Sequence, residues 1–101
     1  MITYATEDNF ISLTNKGVCL VDFYATWCGP CRMLAVELED AEAENEDINI
    51  VKVNIDECMN LAKKYKIQVV PTIIIFKDGK LVKQIEGFMQ KDDILHLVNS
   101  I

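Results

Sequence analysis

The stretch Val18-Cys19-Leu20-Val21-Asp22-Phe23-Tyr24-Ala25 constrains this chain more than any other. It is almost continuously apolar and rich in β-branched and aromatic residues, so neither face can sit in water. It reads as a strand inside a partly parallel sheet, with both faces covered. Helices must supply those covers, and the flanking sequence provides them. Ile2 to Tyr4 is a short edge strand. Thr6 is placed to cap a helix from Glu7 to about Asn15, with Phe10 and Leu13 inward and Gly17 ending it. After residue 31, Leu34, Leu38 and Ala41 recur at helical steps, while Glu37, Glu39, Glu42 and Glu44 take other faces. Ile48 to Ile55 is a second central strand. Asp56 is placed to cap a short helix through Tyr65, with Leu61, Ala62 and Tyr65 inward. Thr72 to Lys77 is a third strand. Asp78-Gly79 is a tight-hairpin signal that pairs it antiparallel with Lys80 to Glu86. Gly87 breaks the pattern. A last helix starts near Lys91, with Ile94, Leu97, Val98 and Ile101 on one stripe. The order β-α-β-α-β-α-β-β-α is an α/β chain with a mixed central sheet and helices on both faces. At 101 residues it is one domain, residues 1–101.

Charge narrows the partners. The net charge is −6, and the nearest approach to a basic cluster is Lys63-Lys64 followed by Lys66, read as a solvated helix end. Nucleic acid and anionic membrane are poor partners on electrostatic grounds, and neither is expected. The N-terminal residues have neither a basic start nor a long apolar run, so they are no secretory signal. The longest apolar run, Val69 to Phe76, falls short of a bilayer span and is interrupted by Pro71 and Thr72. Taken as the native start, this N-terminus predicts a cytoplasmic protein, and a monomer is the expected state.

Four cysteines are present. Cys28 and Cys31 form a close pair, while Cys19 and Cys58 stand alone, a spacing that points to a redox or metal site before a disulfide framework. A structural disulfide is disfavoured in a reducing cytosol. Zinc needs two further ligands, and only Cys19, Cys58 and His96 remain, scattered over different elements. His96 reads as a surface residue of the last helix, and no metal is expected.

Cys28-Gly29-Pro30-Cys31 falls where the buried strand hands over to a helix. Two intervening residues let the sulfurs close a small ring. Pro30, lacking an N–H and with φ fixed, suits a helix's first turn. Gly29 admits a partner backbone. Cys28 is placed at the helix N-terminus, where unpaired N–H groups and the macrodipole favour a thiolate. Lowering a thiol pKa from about 8.5 to about 7 raises the thiolate fraction at pH 7 about fifteen-fold. The accompanying loss of nucleophilicity returns roughly four- to sixfold of that. Most of the rate must therefore come from Cys31 attacking the mixed disulfide within the molecule.

Two further residues break the local pattern. Asp22 places a carboxylate in a strand buried on both faces, which is costly unless it has a use or a partner. Burial raises its pKa, so an acid/base role follows; the plain alternative is a side chain reaching water at the strand end. Lys52, inside the second central strand, is a candidate counter-charge, or else its tip snorkels to solvent. Pro71 stands at the entrance of a strand, where proline needs a positional reason. A cis bond after Val70 would supply one and leave backbone groups free for an extended peptide.

Taken together, Trp27-Cys28-Gly29-Pro30-Cys31, Val21-Asp22-Phe23-Tyr24-Ala25, Asn54-Ile55-Asp56, Val70-Pro71-Thr72, Phe76-Lys77-Asp78-Gly79 and Gly87 resemble the thioredoxin family, in family order across nearly the whole chain. The resemblance implies the thioredoxin fold and a thiol–disulfide oxidoreductase that reduces disulfides in target proteins. Cys28 would be the attacking nucleophile and Cys31 the resolving thiol; the thiol pKa of about 7 used above is characteristic of that family. Asp22 would relay a proton to or from Cys31, through water, with Lys52 nearby. Trp27, Gly29, Pro30, Val70, Pro71 and Gly87 would form the groove for the substrate's disulfide segment, with Val70-Pro71 cis. No cofactor would be bound: electrons would come from NADPH or ferredoxin through a thioredoxin reductase. Disulfide-containing proteins would be the other partners.

The chain departs from the family in places. Val36 stands where many members carry a kinking proline, which implies a straighter helix. Glu86 precedes Gly87 where an apolar residue is common, which makes the groove's rim more negative and favours basic targets. Rival functions on the same fold are an oxidase or isomerase, against which Gly29-Pro30 argues, and an accessory scaffold subunit. Of the unpaired thiols, Cys19 reads as packed and inert. Cys58, near a helix start, reads as an exposed bystander with slight reactivity.

Overall fold

The computed structural model describes residues 1–101. The strands are β1 (Ile2–Tyr4), β2 (Val18–Tyr24), β3 (Asn49–Asn54), β4 (Thr72–Lys77) and β5 (Lys80–Glu86). The helices are α1 (Phe10–Thr14), α2 (Gly29–Glu44), α3 (Met59–Lys64) and α4 (Lys91–Asn99). The strands form one sheet in the order β1-β3-β2-β4-β5. β1, β3 and β2 run parallel, whereas β4 is antiparallel to β2 and β5 to β4. The run at Val18 is thus the middle strand, as its nearly continuous apolar character requires.

Alternation along β2 sorts the core into two layers. Cys19, Val21 and Phe23 face one way, packing with Val51, Val53, Ile74 and Phe76 under Phe10 and Leu61 of α1 and α3. Leu20 faces the other way, packing with Ile50, Ile73 and Ile75 under Leu34, Leu38 and Ala41 of α2 and Ile94 and Leu97 of α4. Asp22 shares this second face. α2 runs unbroken through Val36, which is exposed on its outer side. The hairpin after β4 turns through Asp78 and Gly79, both at positive φ (51° and 83°), the two-residue turn whose twist matches paired strands.

Two helix starts differ from the sequence reading. Thr6 does not cap a regular helix at Glu7. Instead Thr6 and Asn9 bond reciprocally: Thr6 N–H donates to Asn9 Oδ1 (2.7 Å) and Asn9 N–H to Thr6 Oγ1 (3.2 Å). That exchange closes a turn over residues 7–9, and α1 begins only at Phe10. Asp56 does not cap α3 either. Asn54 Oδ1 accepts the N–H groups of Asp56 (2.9 Å) and Glu57 (3.4 Å), making a turn that delays α3 to Met59. The orphan N–H of Leu61 in the first turn of α3 is taken by Glu7 Oε1 at 2.9 Å, so the loop before α1 caps α3 from outside.

The burial pattern yields a paired expectation on α2. Leu34 is fully buried and Val36 is exposed. Leu34→Ala should lower unfolding free energy by about 2–5 kcal/mol, and Val36→Ala should change it by less than about 0.5 kcal/mol. Urea unfolding at pH 7 reads both.

Candidate active site

β2 ends at Tyr24, and the chain turns through Ala25 to Trp27 into α2. Cys28 is the N-cap of α2, with extended backbone (φ −96°, ψ 116°). Its Sγ stands where a capping oxygen normally sits and accepts the Cys31 N–H at 3.1 Å. Cys28 and Cys31 are joined as a disulfide, their Cα atoms 5.2 Å apart. Pro30 falls in the first turn and forfeits no helical hydrogen bond there. A Cβ added at Gly29 would meet only Arg32 Nη2, at 3.8 Å, so the fold itself does not demand glycine at this position. The space is left toward solvent.

A second segment, the turn leading into β4, closes on Cys28. Cys28 Sγ lies 3.6 Å from the Val70 carbonyl oxygen, and the Val70–Pro71 peptide is cis. Pro71 is buried, and its carbonyl accepts the N–H of Gly87 at 2.8 Å. Gly87 has φ +100°, a region L side chains rarely adopt. Val70, Pro71 and Gly87 are thus tied to one another and to Cys28. Trp27 flanks the dithiol with an exposed ring whose Nε1–H donates to Asp56 Oδ2 at 3.0 Å. Asp56, expected as a helix cap, instead orients this ring.

Below the dithiol, Asp22 is completely buried and Lys52 nearly so. The register of β2 and β3 sets the two side by side, and Lys52 Nζ lies 3.6 Å from Asp22 Oδ2. That separation makes an ion pair but not a short hydrogen bond, and neither Asp22 oxygen has a hydrogen-bond partner in the protein. Burial pushes the Asp22 carboxyl up to about 6, and the Lys52 charge opposes the rise without cancelling it. The water-reaching alternative for Asp22 therefore does not hold, whereas the counter-charge reading of Lys52 does.

An open cavity of about 300 Å³ leads from solvent to Lys52, the cationic member of this pair; Cys31, Tyr24, Ala35 and Arg32 are among its other walls. Arg32, Tyr24 and Ala35 were not singled out in the sequence. Arg32 directly follows the cysteine pair, and Tyr24 lies two residues beyond Asp22 on the same strand face, which is the signal that marks it. Cys19 is buried, and burial pushes its thiol up to about 12. Cys58 is a correction: it is buried at 3% exposure, not exposed, and its thiol is pushed up by that burial and by Glu7 and Glu57. The turn held by Asn54 folds it inward into the core layer of Phe10 and Phe23, 3.7 Å from the Ala5 carbonyl oxygen. The slight reactivity expected of it has no basis.

Residues 1–100 match the family model described as Thioredoxin. The chain is 43% identical over 99 residues to a thioredoxin of Chlamydia caviae, covering 98% of this chain and 97% of that one. It is 42% identical over 99 residues to a thioredoxin of Bacillus subtilis, at 97% and 95% coverage. Among solved structures, a mutant thioredoxin from Halobacterium salinarum superposes with a TM-score of 0.90 at 36% identity, covering 98% of this chain and 88% of that one.

The raised Asp22 carboxyl predicts a specific pH dependence of stability. Between its ordinary value of 3.8 and about 6, the folded chain holds a proton at Asp22 that the unfolded chain has released. Stability from this group therefore falls as pH rises through that window and is level above it. The unfolding free energy of the oxidised wild type, taken relative to that of Asp22→Asn, should fall by about 3 kcal/mol from pH 3.5 to pH 7. Denaturant titrations at several pH values read it, and a difference that does not change with pH would contradict the assignment.

Proposed function

The chain belongs to the thioredoxin family and is a thiol–disulfide oxidoreductase, and from that premise we propose how its residues carry the reaction. Cys28 is the attacking group. The observation that carries this reading is the Cys31 N–H held 3.1 Å from Cys28 Sγ at the start of α2, a donor that stabilises a thiolate at that sulfur. The Cys28 thiolate attacks one sulfur of a target disulfide, and the first target thiolate leaves. Asp22, ionised, takes the Cys31 proton through water in the cavity that Cys31 and Lys52 share. The Cys31 thiolate then attacks Cys28 Sγ, forming the Cys28–Cys31 disulfide and releasing the second target thiolate. Two electrons pass to the target, and the proton held at Asp22 returns to solvent.

The target segment lies along Trp27, Gly29, Pro30, Val70, Pro71 and Gly87. Supporting this are the open space at Gly29, the Val70 carbonyl beside Cys28 Sγ and the exposed Trp27 ring. An extended chain there can add main-chain hydrogen bonds to side-chain contacts. Exposed Glu86, in register with Thr72 next to Pro71, gives the rim a negative charge suited to basic targets. The protein acts as a monomer of one domain, 1–101, without a bound cofactor. A thioredoxin reductase returns the electrons from NADPH or ferredoxin. Residence in the cytoplasm follows from the reducing poise such a dithiol needs.

Titration in redox buffers, followed by Trp27 fluorescence, should give a two-electron midpoint near the value characteristic of thioredoxins, about −270 mV. A midpoint near about −180 or −120 mV would instead move the function to isomerisation or oxidation. Cys31→Ser should accumulate a covalent mixed disulfide with a target protein on denaturing, non-reducing gels, and Cys28→Ser should not. Trapping by both variants alike would overturn the assignment of attacking and resolving sulfurs.

A further inference from the structure

One row of residues crosses the sheet through the buried ion pair. Tyr4 of β1 is in register with Lys52 of β3, Lys52 with Asp22 of β2, and Asp22 with Ile73 of β4. Lys52 therefore has the carboxylate on one side and an edge-strand tyrosine on the other. Its Nζ lies 5.8 Å from the Tyr4 ring centroid and 4.8 Å from that of Tyr24. The two rings meet edge to face at 6.4 Å and 79°, making one aromatic surface around the ammonium.

That surface has work to do. The ammonium is 3.6 Å from Asp22 and makes no short hydrogen bond to it. The lysine stem is flexible, and Lys52 lines a cavity open to solvent, so hydration competes with the carboxylate for the charge. Ring faces within about 6 Å attract a cation, most strongly where it is poorly hydrated. We propose that Tyr4 and Tyr24 clamp the Lys52 ammonium against Asp22, which makes Tyr4, on the sheet edge, a positioning residue for proton transfer at Cys31. The functional half of this rests on the reading of Asp22 as the proton relay.

The groups that bear on Asp22 are few. Lys52 is the adjacent cation. Ile73 lies beside Asp22 from β4, and Cys31 and the Arg32 guanidinium reach the cavity from α2. Near the Tyr24 phenol stand Asn54, Tyr4 and Glu57. Without the Tyr4 ring the ammonium moves toward the cavity, its attraction for the carboxylate weakens with distance, and Asp22 holds its proton to higher pH. Tyr4 is 63% exposed, so the ring can be removed without opening the core.

The experiment follows the Asp22 carboxyl by carbon-13 NMR through a pH titration of the oxidised protein. Tyr4→Leu should raise the proton affinity of Asp22 about two- to fivefold over wild type, the size of a modest cation–π contact. Tyr4→Phe, which keeps the ring face, should restore the wild-type midpoint, and in a Lys52→Met background Tyr4→Leu should add no further shift. An unchanged midpoint in Tyr4→Leu overturns the clamp, as does an equal shift in Tyr4→Phe or one that persists without Lys52. Tyr24→Leu against Tyr24→Phe repeats the comparison from the second ring. Release of the second chromophore in the reaction of reduced protein with an aromatic disulfide reads the functional half. Its rate should follow the same shifted midpoint in Tyr4→Leu and lose that pH dependence in Asp22→Asn. An unchanged profile in Asp22→Asn would sink the relay while leaving the NMR result to judge the clamp.

Discussion

The reactive end depends on a single contact, the Cys31 N–H on Cys28 Sγ at the first turn of α2. A helix start leaves N–H groups without partners, and an ordinary cap satisfies one with a side-chain oxygen. Here sulfur does so, and one feature thereby ends the strand, starts the helix and places a donor for negative charge at the atom proposed as the nucleophile. The rest of the fold serves to hold that junction still. β2 is the middle strand, paired on both edges, so the chain entering the turn cannot fray. α2 is pinned by Leu34, Leu38 and Ala41 to the sheet face that also bears Asp22.

Asp22 and Lys52 show what stability alone would not choose. Two charges taken from water cost several kcal/mol each, and a pair lacking further hydrogen bonds recovers this poorly. Ile73, the next member of the same sheet row, is the kind of residue that would pack there without penalty. The carboxylate instead sits unbonded at full burial, its proton affinity raised into the range useful near neutral pH. That it lies on the α2 face follows from strand alternation, because a shift of one residue would send it to the face of Phe10 and Leu61. The same alternation places Tyr24 beside it.

Most of this was legible in the chain because the strong signals were covalent or periodic. The apolar run at Val18, the Leu34-Leu38-Ala41 stripe and Asp78-Gly79 each have one low-energy solution, and the structure adopts it. Cys28, Cys31 and Asp22 stood out as residue types misplaced for a simple core. What stayed hidden was set by long-range partners. Glu7 took over the capping of α3 and Asn54 the turn before it, and no local pattern tells Asp56 that its carboxylate will be claimed by Trp27. Tyr4 escaped notice because its meaning depends on the β1–β3 register, which brings it to Lys52 across forty-eight positions of sequence.

The two remaining cysteines show that residue type alone confers no reactivity. Cys19 lies two strand positions from Val21 on the face opposite Asp22, sealed at zero exposure with no nearby donor for a negative sulfur. With its thiol at about 12, only about one molecule in 100,000 carries the thiolate at pH 7. Cys58 stands at the N-cap position of α3, formally the place Cys28 occupies on α2, yet its side chain accepts no N–H from that helix. Its sulfur points toward the Ala5 carbonyl oxygen, and Glu7 and Glu57 add negative charge around it. An N-cap address is therefore insufficient. Of the four sulfurs only that of Cys28 has a helix N–H aimed at it, which supports the proposal that Cys28 attacks first and that Cys31 attacks only once its proton has been taken.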